Sequence, residues 1–391
     1  MLINYAEHLN KNERIKLGGY YTPKILVDKI YGYISPYLKN RKEAIIFDSA
    51  GGCGAFVENA KGYNYRIADK DQKACSFISE QFNGDNVYCN NSLENVGRNK
   101  YYIPDSSFLV MVGNPPYNDT TSEFKNGNKG ENICDEDLRD RDLGISFLKS
   151  YNKLKADAVC ILHPLSYLIK EANFKRLKNF KDNYKLIKGE IFSSGLFRGT
   201  GTAKFPILAA LYERNPEGMS FDYIKEFQFD LLDNHKKFNL SRYKTTDGYI
   251  NKYPPRKNDI QVSPIGLYYW TFRDINSLKK NTSFMANKHI HGIVVTLENF
   301  YKYAYLYSFK SLFNPDDMWL YGNLSPLINI QEVEQDKKLY ILYAIKKNPV
   351  FKEIKPKIIS KIAKFYNVEI ENNKEVISLE NIIKNKLKRL V

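Results

Sequence analysis

Cysteine, histidine and long apolar runs are what this 391-residue sequence has little of. Its five cysteines, at 53, 75, 89, 134 and 160, all fall in the first half, and no two form a C-x-x-C pair. They read as reduced thiols, which points to a cytoplasmic location rather than a disulfide framework. His289 and His291 have a spacing that a metal on a strand could use, but no cysteine or acid accompanies them, and His163 ends an apolar run as a structural residue. No metal site is expected. No apolar run approaches the roughly 20 residues of a membrane span, and "MLINYAEHLNKNERIK" has no signal-peptide core, so no membrane role is expected. Acid is scarce relative to base: 44 Asp/Glu face 59 Lys/Arg, a net charge of +15. Residues 215–391 hold 28 basic and 19 acidic side chains, against 31 and 25 in residues 1–214. The excess suits a polyanion partner, although lysine-rich composition alone gives the same number.

What is present is a rhythm. Short apolar runs at 44–48, 63–69, 86–89, 108–112, 158–163, 185–192 and 205–212 alternate with amphipathic stretches. "DQKACSFISEQF" sets Ala74, Phe77, Ile78 and Phe82 on one helical face with Asp71 as N-cap, and "GISFLKSYNKL" (144–154) is a second such helix. A first helix follows Pro23, over Lys24 to Ile34. This alternation predicts an α/β fold, a doubly wound Rossmann-like sheet of about seven strands. Residues 118–142 interrupt it with a polar stretch, either a solvated loop or a lid. The turn "NPEG" (215–218) marks the expected boundary between a domain over 1–214 and a mixed α+β domain over 215–391. In the latter, "HKKFNLSRYKTTDGYINKYPPRKN" (235–258) carries seven Lys/Arg and one acid among its aromatics. The C-terminal stripe Leu379, Ile382, Ile383, Leu387 and Leu390 reads as packing.

Two stretches carry chemistry. "FLVMVGNPPY" reads as a buried strand stopped by two prolines, leaving Asn114, Pro115, Pro116 and Tyr117 as a stiff shelf at a strand's C-terminal edge, where open α/β sheets bind ligands. "AIIFDSAGGCGAFVENA" reads as a strand, a glycine-rich turn and a helix N-terminus that let backbone N–H groups approach a ligand. Asp69 ends the next strand, where a carboxylate can accept hydrogen bonds from a ribose's two hydroxyls. The third glycine of G-x-G-x-x-G is absent, so a nucleoside without a pyrophosphate fits better than a dinucleotide.

Asp48-Ser49-Ala50-Gly51-Gly52-Cys53-Gly54-Ala55-Phe56 resembles the D-P-A-C-G-S-G-A-F segment of adenine-N6 DNA methyltransferases. "GGYYTPKILVDKI" (18–30) is similar to the G-x-Y-Y-T-P element of that family, and NPPY matches its catalytic motif. "DLGISFLKSYNKL", "ADAVCILHPLSYL" and "IFSSGLFRGTGTAKFPILAALY" resemble later family segments in order. That order is the one found in the γ group, in type II restriction-modification style, where target recognition is C-terminal. The likeness covers about residues 17–212. Ser49 stands for proline, Gly51 and Cys53 for cysteine and serine, and Asn91 for the usual aspartate on the cofactor's adenine, a change that implies weaker binding.

The resemblance implies a site-specific methyltransferase that moves a methyl group from S-adenosyl-methionine to a flipped-out adenine of double-stranded DNA, leaving S-adenosyl-homocysteine. Tyr21, Thr22, Asp48, Ala50, Gly52, Gly54, Asp69, Asn91 and Asn114 would hold the cofactor. The Asn114 side-chain oxygen and the Pro115 carbonyl would accept from the target amino group, with Pro116 completing the shelf. Tyr117 and Phe205 would stack on the base, and Lys236, Lys237, Arg242 and Lys244 would contact DNA. The other readings are an NPPY methyltransferase for ribosomal RNA or a protein glutamine, and a non-catalytic DNA-binding module. The chain starts about seventeen residues before the T-P element, which leaves no room for an N-terminal nuclease. A monomer is expected, solitary or paired with a separate cognate restriction endonuclease.

Overall fold

The structure, a computed structural model, describes residues 22–39, 41, 43–60, 62–117, 134–197, 204–232, 237–241, 244–245, 249–254, 262–271, 283–312, 327–328, 330–370 and 376–388. It divides into two compact units, one of residues 1–201 and 206–240, the other of 202–205 and 241–391.

The first unit is built on a doubly wound α/β sheet. Helix α1 (Lys24–Leu38) precedes β1 (Ile45–Asp48), β2 (Asn64–Asp69), α2 (Gln72–Gln81), β3 (Val87–Cys89), β4 (Leu109–Gly113), α3 (Leu143–Lys153), β5 (Ala158–Pro164), β6 (Tyr184–Ser193) and β7 (Pro206–Arg214). All seven expected strands are present. Two more, β8 (Phe229–Leu231) and β9 (Lys237–Phe238), carry the sheet past the NPEG turn. The order is β3-β2-β1-β4-β5-β7-β6-β8-β9. Strands β3, β2, β1, β4 and β5 run parallel, and β7 is antiparallel to both β5 and β6. Parallel strands covered on both sides must be apolar throughout. Every residue of β1 and β4 is buried.

The local signals act where expected. Asp71 caps α2 by accepting from the Lys73 N–H at 3.0 Å, and Ala74 and Ile78 are buried. The glycine turn differs: a single 3-10 turn, Val57–Ala60, follows it instead of an α-helix. The polar stretch 118–142 also differs where it is described. Over 134–142 it is anchored at Leu138, which is buried, and at Asp135, which accepts from the N–H groups of Asn95 and Val96, while Glu136, Asp137, Arg139 and Arg141 are exposed. Residues 118–133, where a lid was the alternative, lie outside the described residues.

In the second unit, β10 (Lys244–Thr245) pairs with the later strand Leu327–Ile328, and β11 (Leu267–Trp270) lies between β12 (Phe284–Met285) and β13 (Gly292–Val295), all antiparallel. Helices α4 (Phe300–Leu312), α5 (Lys337–Lys347), α6 (Pro356–Tyr366) and α7 (Val376–Lys388) follow. The core is aromatic. Phe284 lies 5.3 Å from both Phe300 and Phe351 and 5.1 Å from Tyr269, centroid to centroid. On α7, Leu379, Ile383 and Leu387 are buried and Ile382 is exposed; Leu390 lies outside the described residues. Among the described residues, no helix is long and apolar enough to cross a membrane.

Asp140 sits between Lys149, at 3.1 Å, and Arg176, and both the Asp140 and Lys149 side chains are nearly buried. Removing one partner of such a pair leaves the other charge desolvated and uncompensated. Asp140→Ala should therefore cost about 3–5 kcal/mol in urea unfolding, and the double variant Asp140→Ala/Lys149→Met should recover much of that loss.

Candidate functional site

The chain runs outward from β1 through β2 to β3, then returns to β4 on the other side and continues to β5. The switch point thus falls between the carboxyl ends of β1 and β4. A cleft opens there, with about 940 Å³ of atom-free space that includes open solvent. Of the sequence-predicted residues, Thr22, Asp48, Ala50, Gly52, Asp69, Asn91, Asn114 and Pro116 line it. Gly54, Pro115 and Tyr117 do not. Tyr21 lies outside the described residues.

The glycine turn is held by Asp69. One carboxylate oxygen accepts from the Gly52 N–H at 2.8 Å and the other from the Asp71 N–H at 2.9 Å. Gly52 has φ +54°, a conformation an L side chain adopts only under strain. Asp69 thus shapes the turn as well as facing the cleft, and burial raises its pKa. Asp48 is buried. Oδ1 accepts from the Ala50 N–H at 3.1 Å, while Oδ2 has no hydrogen-bond partner. Burial raises its carboxyl to about 7, against the pull of the Ala50 N–H and with Asp69 adding to the rise. The Asn91 side-chain oxygen accepts from the Leu93 N–H at 3.1 Å, which ties down the loop that carries it.

The shelf is set by a contact between distant parts of the chain. The Asn114 Nδ2 donates to Thr22 Oγ1 at 3.2 Å, which fixes the amide's orientation, and the Tyr117 hydroxyl donates to Asn114 Oδ1. The T-P element and NPPY, 92 positions apart, are therefore one piece of the site.

Sequence reasoning missed three parts. Gly113 has φ +143°, and a Cβ there would lie 2.8 Å from Asp48 Oδ1, so only glycine lets the shelf leave β4 beside the buried acid. Leu143 and Phe147, one turn apart on α3, line the cleft as an apolar wall; their i, i+4 spacing on an amphipathic helix was the available signal. Cys53 and Cys134 also line the cleft, and burial pushes the Cys53 thiol up to about 11.

The remaining candidates lie elsewhere. Phe205 immediately precedes β7 and groups with the second unit. Lys236 and Arg242 lie outside the described residues, as does the Lys244 side chain; Lys237 is exposed on β9, in the first unit. His163 is fully buried, bonded to the Tyr212 hydroxyl at 2.7 Å and stacked on Tyr167, and burial lowers its pKa to about 4. His289 accepts the His291 N–H on Nδ1 at 3.0 Å, and both rings pack on Trp270. Among the described residues, no group of three or more His, Cys, Asp or Glu is placed to hold a metal. The cleft therefore offers two acids, an oriented amide, backbone N–H groups and an apolar wall, with no histidine and no thiolate nucleophile among its lining residues. Such a set is chemically suited to binding and orienting a ligand.

No protein-family profile matches the chain, and no curated protein matches it. Solved structures do. The chain is similar to a protein of Listeria monocytogenes assigned as a class I S-adenosylmethionine-dependent methyltransferase, at 16% identity and TM-score 0.38, over 55% of this chain and 66% of that one. It is similar to the methyltransferase subunit of a type I restriction-modification system from Streptococcus thermophilus, at 14% identity and TM-score 0.35, over 56% and 49%. A dimethyladenosine transferase from Plasmodium falciparum matches at 16% identity and TM-score 0.33, over 52% and 66%. The matches thus span less than two thirds of each of these three chains.

The Asp48 carboxyl titrates near 7 in the folded chain, against an ordinary value of 3.8. The folded protein keeps this proton over a range where the unfolded chain has lost it. Stability should therefore fall as pH rises from about 4 to about 7 and level off above, by an amount on the order of 4 kcal/mol. Asp48→Asn should remove that fall. Urea midpoints of the ligand-free protein at pH 5 and pH 8 would check it: the variant should gain on the parent by clearly more at pH 8 than at pH 5.

Proposed function

We propose that the first unit is an S-adenosyl-methionine-dependent methyltransferase whose acceptor is the N6 amino group of an adenine flipped out of duplex DNA. The observation that carries this reading is the seat of Asn114. Its Nδ2 is bonded to Thr22, so the fixed amide presents Oδ1 as its acceptor end, at the carboxyl edge of β4 and beside the cleft.

The residues present fit the methyl donor. Asp48 Oδ2 is a buried acceptor with no partner, suited to a donor group such as an ammonium. Asp69 has lone pairs beyond those used by Gly52 and Asp71, suited to ribose hydroxyls. Leu143 and Phe147 give an apolar wall for a flat base. When bound, the donor supplies an electrophilic methyl group on a sulfonium.

The chain's own task is to make adenine's amino nitrogen a better nucleophile. Its lone pair is conjugated with the ring. Acceptors at Asn114 Oδ1 and the Pro115 carbonyl, one on each amino hydrogen, draw density back and favour a pyramidal nitrogen. The amino group takes the position on Asn114 Oδ1 that the Tyr117 hydroxyl holds in the base-free chain. In this reading the Tyr117 ring, released, stacks on the base, which returns roughly 1–3 kcal/mol against the few kcal/mol that flipping costs. The donor, when bound, would give its methyl to that nitrogen and leave as a neutral thioether, and the proton of the methylated nitrogen would go to water. No strong base is required. The second unit, with its basic surroundings, serves in this reading to recognise the target sequence.

Transfer of radiolabelled methyl from S-adenosyl-methionine should be measured with duplex DNA, ribosomal subunits and a release factor as acceptors. Label on adenine of DNA is the expected outcome; label on ribosomal RNA or a glutamine instead would replace the acceptor proposed here. Asn114→Ala should lower the transfer rate on the order of a hundredfold or more with cofactor affinity nearly intact. Asp69→Ala should do the opposite, weakening cofactor binding several-fold or more in calorimetry.

A further inference from the structure

Helix α6, Pro356–Tyr366, sorts its residues onto two faces. Ile362 and Tyr366 are buried and Ile358, Ile359 and Ala363 are half-buried, so the apolar face is packed inward. Lys357, Ser360, Lys361, Lys364 and Phe365 are all exposed, and at 3.6 residues per turn they share an arc of about 140°. Lys352 and Lys355, just before the helix, are exposed as well.

Several helical lysines elsewhere among the described residues are matched to acids. Lys24 pairs with Asp28, Lys175 with Glu171 and Lys225 with Asp222 within single helices. In the second unit Lys347 meets Glu380 at 2.8 Å and Lys386 meets Asp336 at 2.5 Å. The five lysines at 352, 355, 357, 361 and 364 have no carboxylate within ion-pair distance among the described residues. Glu353 is the sole acid between Val350 and Tyr366. Lys357 and Lys361, at i, i+4, repel one another with no acid to offset them. A stripe of positive charge left uncompensated on a rigid element is complementary to a regular array of negative charge.

We propose that the Lys357, Lys361 and Lys364 row binds the phosphate backbone of duplex DNA. The inference rests on the reading of the chain as a DNA methyltransferase and assigns part of its substrate contact to α6. The row spans about 10 Å at 1.5 Å per residue, the length of about three phosphates of one strand at 3.4 Å of axis each. Ser360 adds a hydroxyl donor within the row, and Phe365, 51% exposed, gives an apolar edge beside it. A membrane surface fits less well. A helix lying in a bilayer turns its apolar face outward, whereas α6 packs that face on its own unit.

The test is a salt titration of duplex-DNA binding by the full chain carrying Lys357→Gln, Lys361→Gln and Lys364→Gln together. The log–log slope should become shallower by about 2.7, at about 0.9 for each phosphate that the variant no longer neutralises. Affinity for DNA should fall at least tenfold, with affinity for S-adenosyl-methionine unchanged. If the triple variant does not fold, Lys361→Gln alone should shift the slope by about 0.9. A parent-like slope in a folded variant overturns the proposal. So does a loss of affinity confined to a folded RNA. The two readings fail separately. A parent chain that methylates DNA while the variant keeps its slope removes the α6 contact only. A parent that transfers no methyl to DNA, with a variant that still loses duplex affinity, removes the enzymatic reading and keeps the contact.

Discussion

Parallel pairing of β1 with β4 is the constraint on which the site depends. The register sets Asp48 opposite Val112, so the next residue, Gly113, passes directly over the Asp48 carboxylate. Any side chain at 113 would strike that oxygen, and φ at 113 is one that glycine tolerates. The shelf beginning at Asn114 therefore leaves the sheet in one direction only. Thr22, at the entry to α1, then fixes which end of the Asn114 amide faces the cleft.

The same packing places charge where water is scarce. Asp48 and Asp69 end neighbouring parallel strands, and both are harder to ionise than a free carboxyl because burial penalises the charged form. Asp69 offsets this with two backbone N–H groups, and in doing so it holds the glycine turn in its left-handed conformation. Asp48 has one N–H and an oxygen with no partner. An orphaned buried acceptor costs stability, and one that faces a cleft is the kind of strain kept for a ligand. Asp140, by contrast, is compensated on both sides by Lys149 and Arg176, and it serves the fold by fixing the start of α3.

The second unit solves a different problem. Its core is built from aromatic rings, many of them tyrosines, whose hydroxyls must find acceptors. Tyr303 reaches the Asn251 carbonyl at 3.1 Å, and Tyr249 reaches Glu334 at 3.0 Å with Lys302 lying 4.2 Å over its ring. Among the described lysines of this unit, Lys337, Lys347 and Lys386 meet acids, whereas the exposed lysines of α6 do not.

Much of the first unit was legible in the residues. The seven strands, the Asp71 cap and the two amphipathic helices are local patterns, and short-range physics is enough to specify them. The NPPY shelf was legible too, because two prolines stop a strand wherever it lies. The absence of a helix after Gly54 was less plain, since a glycine turn is compatible with either outcome. The sheet's continuation through β8 and β9 could not be read, because strands of three and two residues give too little periodicity. What only the tertiary structure decided was the meeting of Thr22 with Asn114 and of Gly113 with Asp48, and the sharing of one cleft by Leu143, Phe147 and the glycine turn. Each joins residues that the sequence holds far apart, and their distance in space follows from strand order and register, which many distant contacts fix together.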